Sequence, residues 1–237
     1  MTDGTDVQRV ELTIELGELA GARSAPREVS GILLRPVGAR WIYVLAHGAG
    51  AGMRHAFLEK MAALLAERDV ATLRYQFPYV EAGRKMPDKR ELLEHTVRAA
   101  VAEAARRAPD LPLLAGGKSM GGRMTSQAQA AEPLPGLRAI VFIGFPLHPP
   151  GKPSTARAEH LPAVGVPMLF LQGTRDELAS LSLLEPVVRP LAPAAELVII
   201  DGADHSFGVR ASSGRRAADV LAGLADEVAG FASRVAG

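Results

Sequence analysis

The chain of 237 residues contains no cysteine. Disulfides, a thiolate nucleophile and cysteine-type metal sites are therefore excluded, although the absence leaves the compartment open. A charge excess of either sign is also missing. Against 26 acidic residues stand 27 basic ones, a net charge of +1, so attraction to nucleic acid or to an anionic membrane is not expected. No apolar run approaches the roughly 18 residues needed to cross a bilayer. The opening Met1-Thr2-Asp3-Gly4-Thr5-Asp6 is polar and acidic where a secretory signal needs positive charge and then an apolar stretch, and a cytoplasmic location is the expectation. The six histidines form no H-E-x-x-H pair or cluster, so no metal site is expected.

Two nucleotide motifs are incomplete. Gly117-Lys118-Ser119 ends like a P-loop, but the glycine needed five residues earlier is Pro112. Gly48-Ala49-Gly50 opens like a dinucleotide fingerprint, but the third glycine falls on Met53, or on His55 if the count starts at Gly50. No cofactor is expected.

What is present begins at a strand-to-helix corner. The apolar run Leu111 to Ala115 leads into Gly117-Lys118-Ser119-Met120-Gly121-Gly122, the G-x-S-x-G pattern of a nucleophile elbow. The chain must leave a strand and enter a helix within a few residues, so the positions flanking Ser119 cannot carry bulk. Such a corner lifts the Ser119 hydroxyl above the sheet edge and aims the Met120 amide at the place where an attacked carbonyl gathers negative charge.

A serine hydroxyl needs a base, and the base needs an orienting acid. The buried-type run Val166 to Gln172 ends in Gly173-Thr174-Arg175-Asp176, and Leu197 to Ile200 ends in a turn holding Asp204 and His205. Asp176 is the candidate acid and His205 the candidate base, an imidazole titrating near ~6.5 being able to take and return the proton. Asp201 and Asp204 compete with Asp176, which is preferred because it follows its own strand. The order Ser119, Asp176, His205 is that of the α/β-hydrolase fold. A second oxyanion donor is expected after the apolar run Trp41 to Ala46, in His47-Gly48-Ala49-Gly50-Ala51-Gly52. The Ala49 amide is assigned, with Gly50 as the next choice, and His47 is read as a loop organiser.

Strand-like and helix-like segments alternate along the chain, predicting a mostly parallel sheet with helices on both faces and an antiparallel edge formed by residues 9–16 and 28–34. Residues 1–237 read as one domain with no internal repeat. Only about 20 residues, rich in proline, separate Gly144 from Val166, so no large cap is expected and the site should be open. Gly50, Phe77, Tyr79 and His148 are candidate substrate contacts. Phe77-Pro78-Tyr79 reads equally as packing, and His148 as part of a rigid solvent-facing turn. Arg84, Lys85 and Arg123 suit a substrate carboxylate but also read as solvated charges.

Gly117 to Met124, His47 to Gly50, Arg74 to Tyr79, Phe145 to Lys152 and Gln172 to Asp176 together resemble one family of small bacterial α/β hydrolases. These are related to the KAT8 regulatory (nonspecific-lethal) complex subunit and to testis-expressed hydrolase-like proteins. The similarity spans about residues 28 to 235 and implies the fold and the triad. The chain is more distantly similar to dienelactone hydrolases, departing from them at the nucleophile, which is Ser119 here and cysteine there. The implied activity is serine hydrolysis of a small ester, thioester or amide. Acyl transfer or perhydrolysis on the same triad, and a non-catalytic scaffold, are the alternatives. The expected partner is a small acyl substrate, and nothing in the pattern sets an oligomeric state.

Overall fold

The computed structural model describes residues 6–18 and 26–235; the N-terminal segment 1–5, part of the stretch weighed against a secretory signal, lies outside them. Within the described residues eight strands form one sheet in the order β1-β2-β4-β3-β5-β6-β7-β8. They are β1 (Val7–Glu15), β2 (Glu28–Pro36), β3 (Trp41–Ala46), β4 (Val70–Tyr75), β5 (Leu113–Lys118), β6 (Leu137–Ile143), β7 (Met168–Gly173) and β8 (Ala195–Ile200). β1 and β2 pair antiparallel at one edge, β2 meets β4 antiparallel, and all remaining pairs are parallel. The antiparallel edge and parallel body follow from the sequence pattern. β3, a continuous apolar run, is buried at every position, as a strand covered on both faces requires; β4 is buried throughout as well although it carries Thr72 and Arg74, whereas β1 alternates and leaves one face in water.

Among the described residues six α-helices cover the sheet: α1 (Ala56–Ala66), α2 (Pro78–Glu81), α3 (Arg90–Arg107), α4 (Met120–Ala131), α5 (Leu181–Val188) and α6 (Ala217–Val235). Two hydrophobic cores result, one on each face. The first packs Val97, Ala100, Val101 and Met124 against Val44, Leu73 and Phe142; the second packs Leu58, Met61, Val228 and Phe231 against Tyr43, Leu45 and Val141. No helix is long and apolar enough to cross a membrane among the described residues.

Between β6 and β7 the chain forms two short 3₁₀ turns, Ala156–Ala158 and Leu161–Ala163. No large cap covers the sheet. Because the parallel strands run the same way, the loops after β3, β5, β7 and β8 all emerge at their carboxyl ends, where open α/β sheets place their ligands.

Candidate active site

Ser119 sits between β5 and α4 with φ 51° and ψ −117°, a left-handed conformation that a side-chain-bearing residue adopts only when its surroundings enforce it. The enforcement is visible on both sides. At Gly117, with φ 144°, a Cβ would fall 2.2 Å from the Ala46 carbonyl oxygen, and at Gly121 it would fall 2.7 Å from Ala46 Cβ and from the His47 carbonyl oxygen. Only glycine lets β5 and α4 close against β3 at this corner. The Ser119 amide donates to the Ile143 carbonyl at 3.1 Å, tying the corner to β6.

The structure brings the three expected side chains together. His205 Nε2 lies 2.8 Å from Ser119 Oγ, and His205 Nδ1 lies 2.7 Å from Asp176 Oδ2. Asp176 is 4% exposed and has two further donors: Gln172 Nε2 to Oδ2 at 2.6 Å and the Leu178 amide to Oδ1 at 2.8 Å. Its rivals are engaged elsewhere. Asp204 accepts from the Ser206 and Gly208 amides at 2.8 and 2.9 Å, closing the turn that carries His205, and Asp201 meets Thr174 at 3.4 Å.

The loop after β3 is braced from below. His47 is fully buried and accepts from the Phe77 amide at Nε2, 3.1 Å away, while its Nδ1 is 2.7 Å from the Gly48 carbonyl. This fixes the neutral tautomer with the proton on Nδ1. Burial is the chief cause that lowers His47 to a pKa of about 4. The Gly50 amide donates to the Tyr79 hydroxyl at 2.9 Å, so Gly50 is spent on loop structure and drops out as an oxyanion donor. Among the described residues the amides of Ala49 and Met120 donate to no protein acceptor, and both residues line the cavity at Ser119.

Four contact expectations need correction. Phe77 and Tyr79 are 0% exposed; they support the loop from beneath instead of walling an acyl site. The reason is the short α2 after β4, which turns both rings inward against His47. His148 does not face solvent, being 4% exposed, with its amide donating to the Leu178 carbonyl at 3.1 Å. Neither it nor Gly50 is part of the cavity wall. That cavity holds about 340 Å³, and its apolar lining includes Leu93, Met120, Met124, Pro146 and Leu178. A larger hollow of about 660 Å³ lies beside Trp41, Pro112 and Leu137, at the opposite ends of the strands and far from the Ser119 corner.

A second serine–histidine contact, Ser126 Oγ to His160 Nε2 at 2.7 Å, is structural. Ser126 lies inside α4 and is 0% exposed. Among the described residues no carboxylate meets the His160 ring, which burial and then Arg123 and Arg90 depress to about 4. Two residues that the sequence motifs include were given no role there: Gln172, the partner of Asp176, and Lys118, whose Nζ donates to the His205 carbonyl at 2.6 Å. No group of residues able to hold a metal ion occurs among those described.

The model of the alpha/beta hydrolase domain family matches residues 39–233. The chain belongs to this family. Among solved structures it is similar to a dienelactone hydrolase from Anabaena variabilis, with 24% identity, 93% of this chain and 96% of that chain covered, and a TM-score of 0.73. The esterase domain of a Rhodothermus marinus protein shows 16% identity over 96% and 98% of the two chains, with a TM-score of 0.69. An α/β serine hydrolase without a lid from Xanthomonas campestris shows 18% identity over 93% of each chain, with a TM-score of 0.68. At these identities the likeness is one of fold.

Proposed function

We propose that the protein is a serine hydrolase cleaving a small ester, thioester or amide through an acyl-enzyme on Ser119. The observation that carries this is the unbroken path from Ser119 Oγ through His205 to Asp176, 2.8 and 2.7 Å per step. Ser119 Oγ attacks the substrate carbonyl carbon while His205 Nε2 takes its proton, and the resulting imidazolium is held by Asp176. The Met120 and Ala49 amides stabilise the oxyanion, an arrangement in which one donor is typically worth about 10²- to 10³-fold in kcat. His205 returns the proton to the leaving group, and a water activated by the same imidazole releases the acid. The left-handed backbone of Ser119 supports this reading, since strain of this kind persists where surrounding structure enforces it. The elbow lysine and the other shared motifs favour the narrower kinship with relatives of the nonspecific-lethal complex subunit.

The test is a fluorophosphonate probe with the adduct mapped by mass spectrometry. The expected result is a single adduct on Ser119 that disappears in Ser119→Ala. Labelling elsewhere, or labelling that survives the substitution, would overturn the assignment.

A further inference from the structure

The cavity at Ser119 is apolar on one wall and cationic on another. Arg90, Arg123 and Arg157 all line it. Arg123 stands one helical turn beyond the nucleophile, its amide donating to the Ser119 carbonyl at 3.2 Å. Arg157 comes from the first 3₁₀ turn after β6, so two segments distant in the chain supply guanidinium groups to the same space.

The acidic groups nearby are each paired with another arginine, although Asp88 Oδ2 and Glu94 Oε1 are buried and accept no hydrogen bond. Arg90 Nε pairs with Glu94 at 3.2 Å, and Asp88, which also lines the cavity, pairs with Arg84 at 2.6 Å. Arg123 and Arg157 have no carboxylate within salt-bridge distance among the described residues. Arg123 Nε is buried and donates to no protein acceptor, while its Nη1 reaches only Gln127 at 3.3 Å. Burial first, and then the charges of Arg157 and Arg90, lower Arg123 to about 10 against the opposing pull of Glu94. Two half-buried like charges facing one space raise each other's energy, and a bound anion relieves that repulsion while filling the empty donor positions. Arginine's planar fork matches a carboxylate in two parallel hydrogen bonds.

We propose that this cavity selects a substrate with a carboxylate a few bonds from the scissile carbonyl, gripped by Arg123 and Arg157 while Ser119 attacks. The substrate class is then a short dicarboxylic acid half-ester or half-thioester, not a neutral fatty ester. Hydrolysis of such a half-ester consumes one water and yields the dicarboxylate and an alcohol. This rests on the proposed serine hydrolysis, which supplies the chemistry, while the arginines supply only selection.

Two measurements test it. The first compares kcat/KM for monoethyl succinate and for ethyl butyrate, its neutral counterpart. The half-ester is expected to be favoured by about 10- to 100-fold, the range of hydrogen bonds to charged partners. Arg157→Gln and Arg123→Gln should each lower that ratio by about tenfold, with Arg157→Lys losing less. Preference for the neutral ester, or variants that slow both esters equally, would overturn the proposal. The second measurement is calorimetric titration of Ser119→Ala with glutarate, which needs no turnover. Binding that weakens in the additional presence of Arg157→Gln is expected, and absence of binding overturns the proposal. Among the described residues the half-buried Arg157 side chain makes no hydrogen bond or ion pair, so its replacement by glutamine removes none. Fluorophosphonate labelling run alongside separates the two ideas: labelled Ser119 with no charge preference rejects the anion site alone, and an unlabelled protein rejects the hydrolase reading.

Discussion

Lys118 Nζ donates to the backbone carbonyl of His205 at 2.6 Å, so the residue beside the nucleophile in sequence holds the loop that carries the base. Its ammonium also lies 5.6 Å from the centre of the Phe207 ring, two residues beyond His205. The elbow and the histidine loop are thus clamped by one side chain, which gives the variable position just before the serine of G-x-S-x-G a job that the motif alone does not reveal.

Lys118→Met keeps the apolar stem and removes the clamp. Turnover of a soluble ester is expected to fall about tenfold with KM little changed, because the substitution loosens His205 and spares the cavity wall. Stability carries a second signature. Burial lowers the Lys118 pKa from 10.5 to about 8, against the opposing pull of Asp176 and Asp204. Between those two values the unfolded chain holds a proton that the folded chain has released, so wild-type stability rises with pH across that window. The gain is on the order of 3 kcal/mol at most, and it should be missing from Lys118→Met in urea melts at pH 7.5 and 10. Parallel pH dependence in both proteins would show that the amine is not buried as charge.

The orienting acid is tested by comparing three variants. Asp176→Asn should fold normally and lose about 10⁴-fold in kcat, as amide replacement does in such triads. Asp204→Asn should lose far less, since its carbonyl oxygen still accepts the two turn amides that Asp204 now binds. Gln172→Leu is expected to cost about tenfold, because Asp176 keeps the Leu178 amide but loses the donor on Oδ2. A loss at Asp204 equal to that at Asp176, with both proteins folded by circular dichroism, reverses the assignment.

The contrast between what was readable and what was not follows the range of the interactions. β3, β5 and the glycine corner around Ser119 are legible because burial on both faces and a backbone that only glycine permits leave their mark within a few consecutive residues. α5 left a weaker mark, being eight residues long with Pro186 inside it. The roles of Phe77 and Tyr79 were not readable, since an aromatic turn looks the same whether it faces a substrate or the underside of a loop. Arg123 read both as a carboxylate ligand and as a solvated charge, because its meaning depends on Arg157 and nothing local announces that a turn after β6 returns beside α4. Gln172 needed the same kind of tertiary knowledge, a glutamine at the end of β7 being unremarked until Asp176 and Phe145 are placed on either side of it.

Acid sensitivity follows from His47. Its ring is neutral in the folded state, with burial lowering it from 6.5 to about 4, and His160 is lowered to the same value. Between pH 6.5 and 4 the unfolded chain takes up protons that the folded chain refuses, so the stability present above pH 6.5 is lost as pH falls through this window. The buried His47 ring accounts for on the order of 3 kcal/mol, and the more exposed, solvent-screened His160 ring for less. His47→Gln retains an acceptor for the Phe77 amide and should roughly halve the loss in urea midpoint between pH 7 and 4.5. An unchanged loss would show that His47 is protonated in place, with its bond to Phe77 already broken.

Acyl length provides the last discrimination among neutral esters. The connection from β6 to β7 supplies two three-residue turns and no apolar helix to close over a chain. The cavity of about 340 Å³ covers only the first few carbons beyond the carbonyl, along Leu93, Met124 and Leu178. Within that reach each buried methylene is worth about 0.8 kcal/mol, close to fourfold in kcat/KM; beyond it, added methylenes stay in water and gain nothing. A series of p-nitrophenyl esters should therefore rise from acetate to about butyrate and fall by decanoate, with no jump in rate when the substrate forms micelles. A continuing rise to long chains, or activation at the interface, would mean that the arginine-lined wall opens into a longer apolar channel than the structure contains.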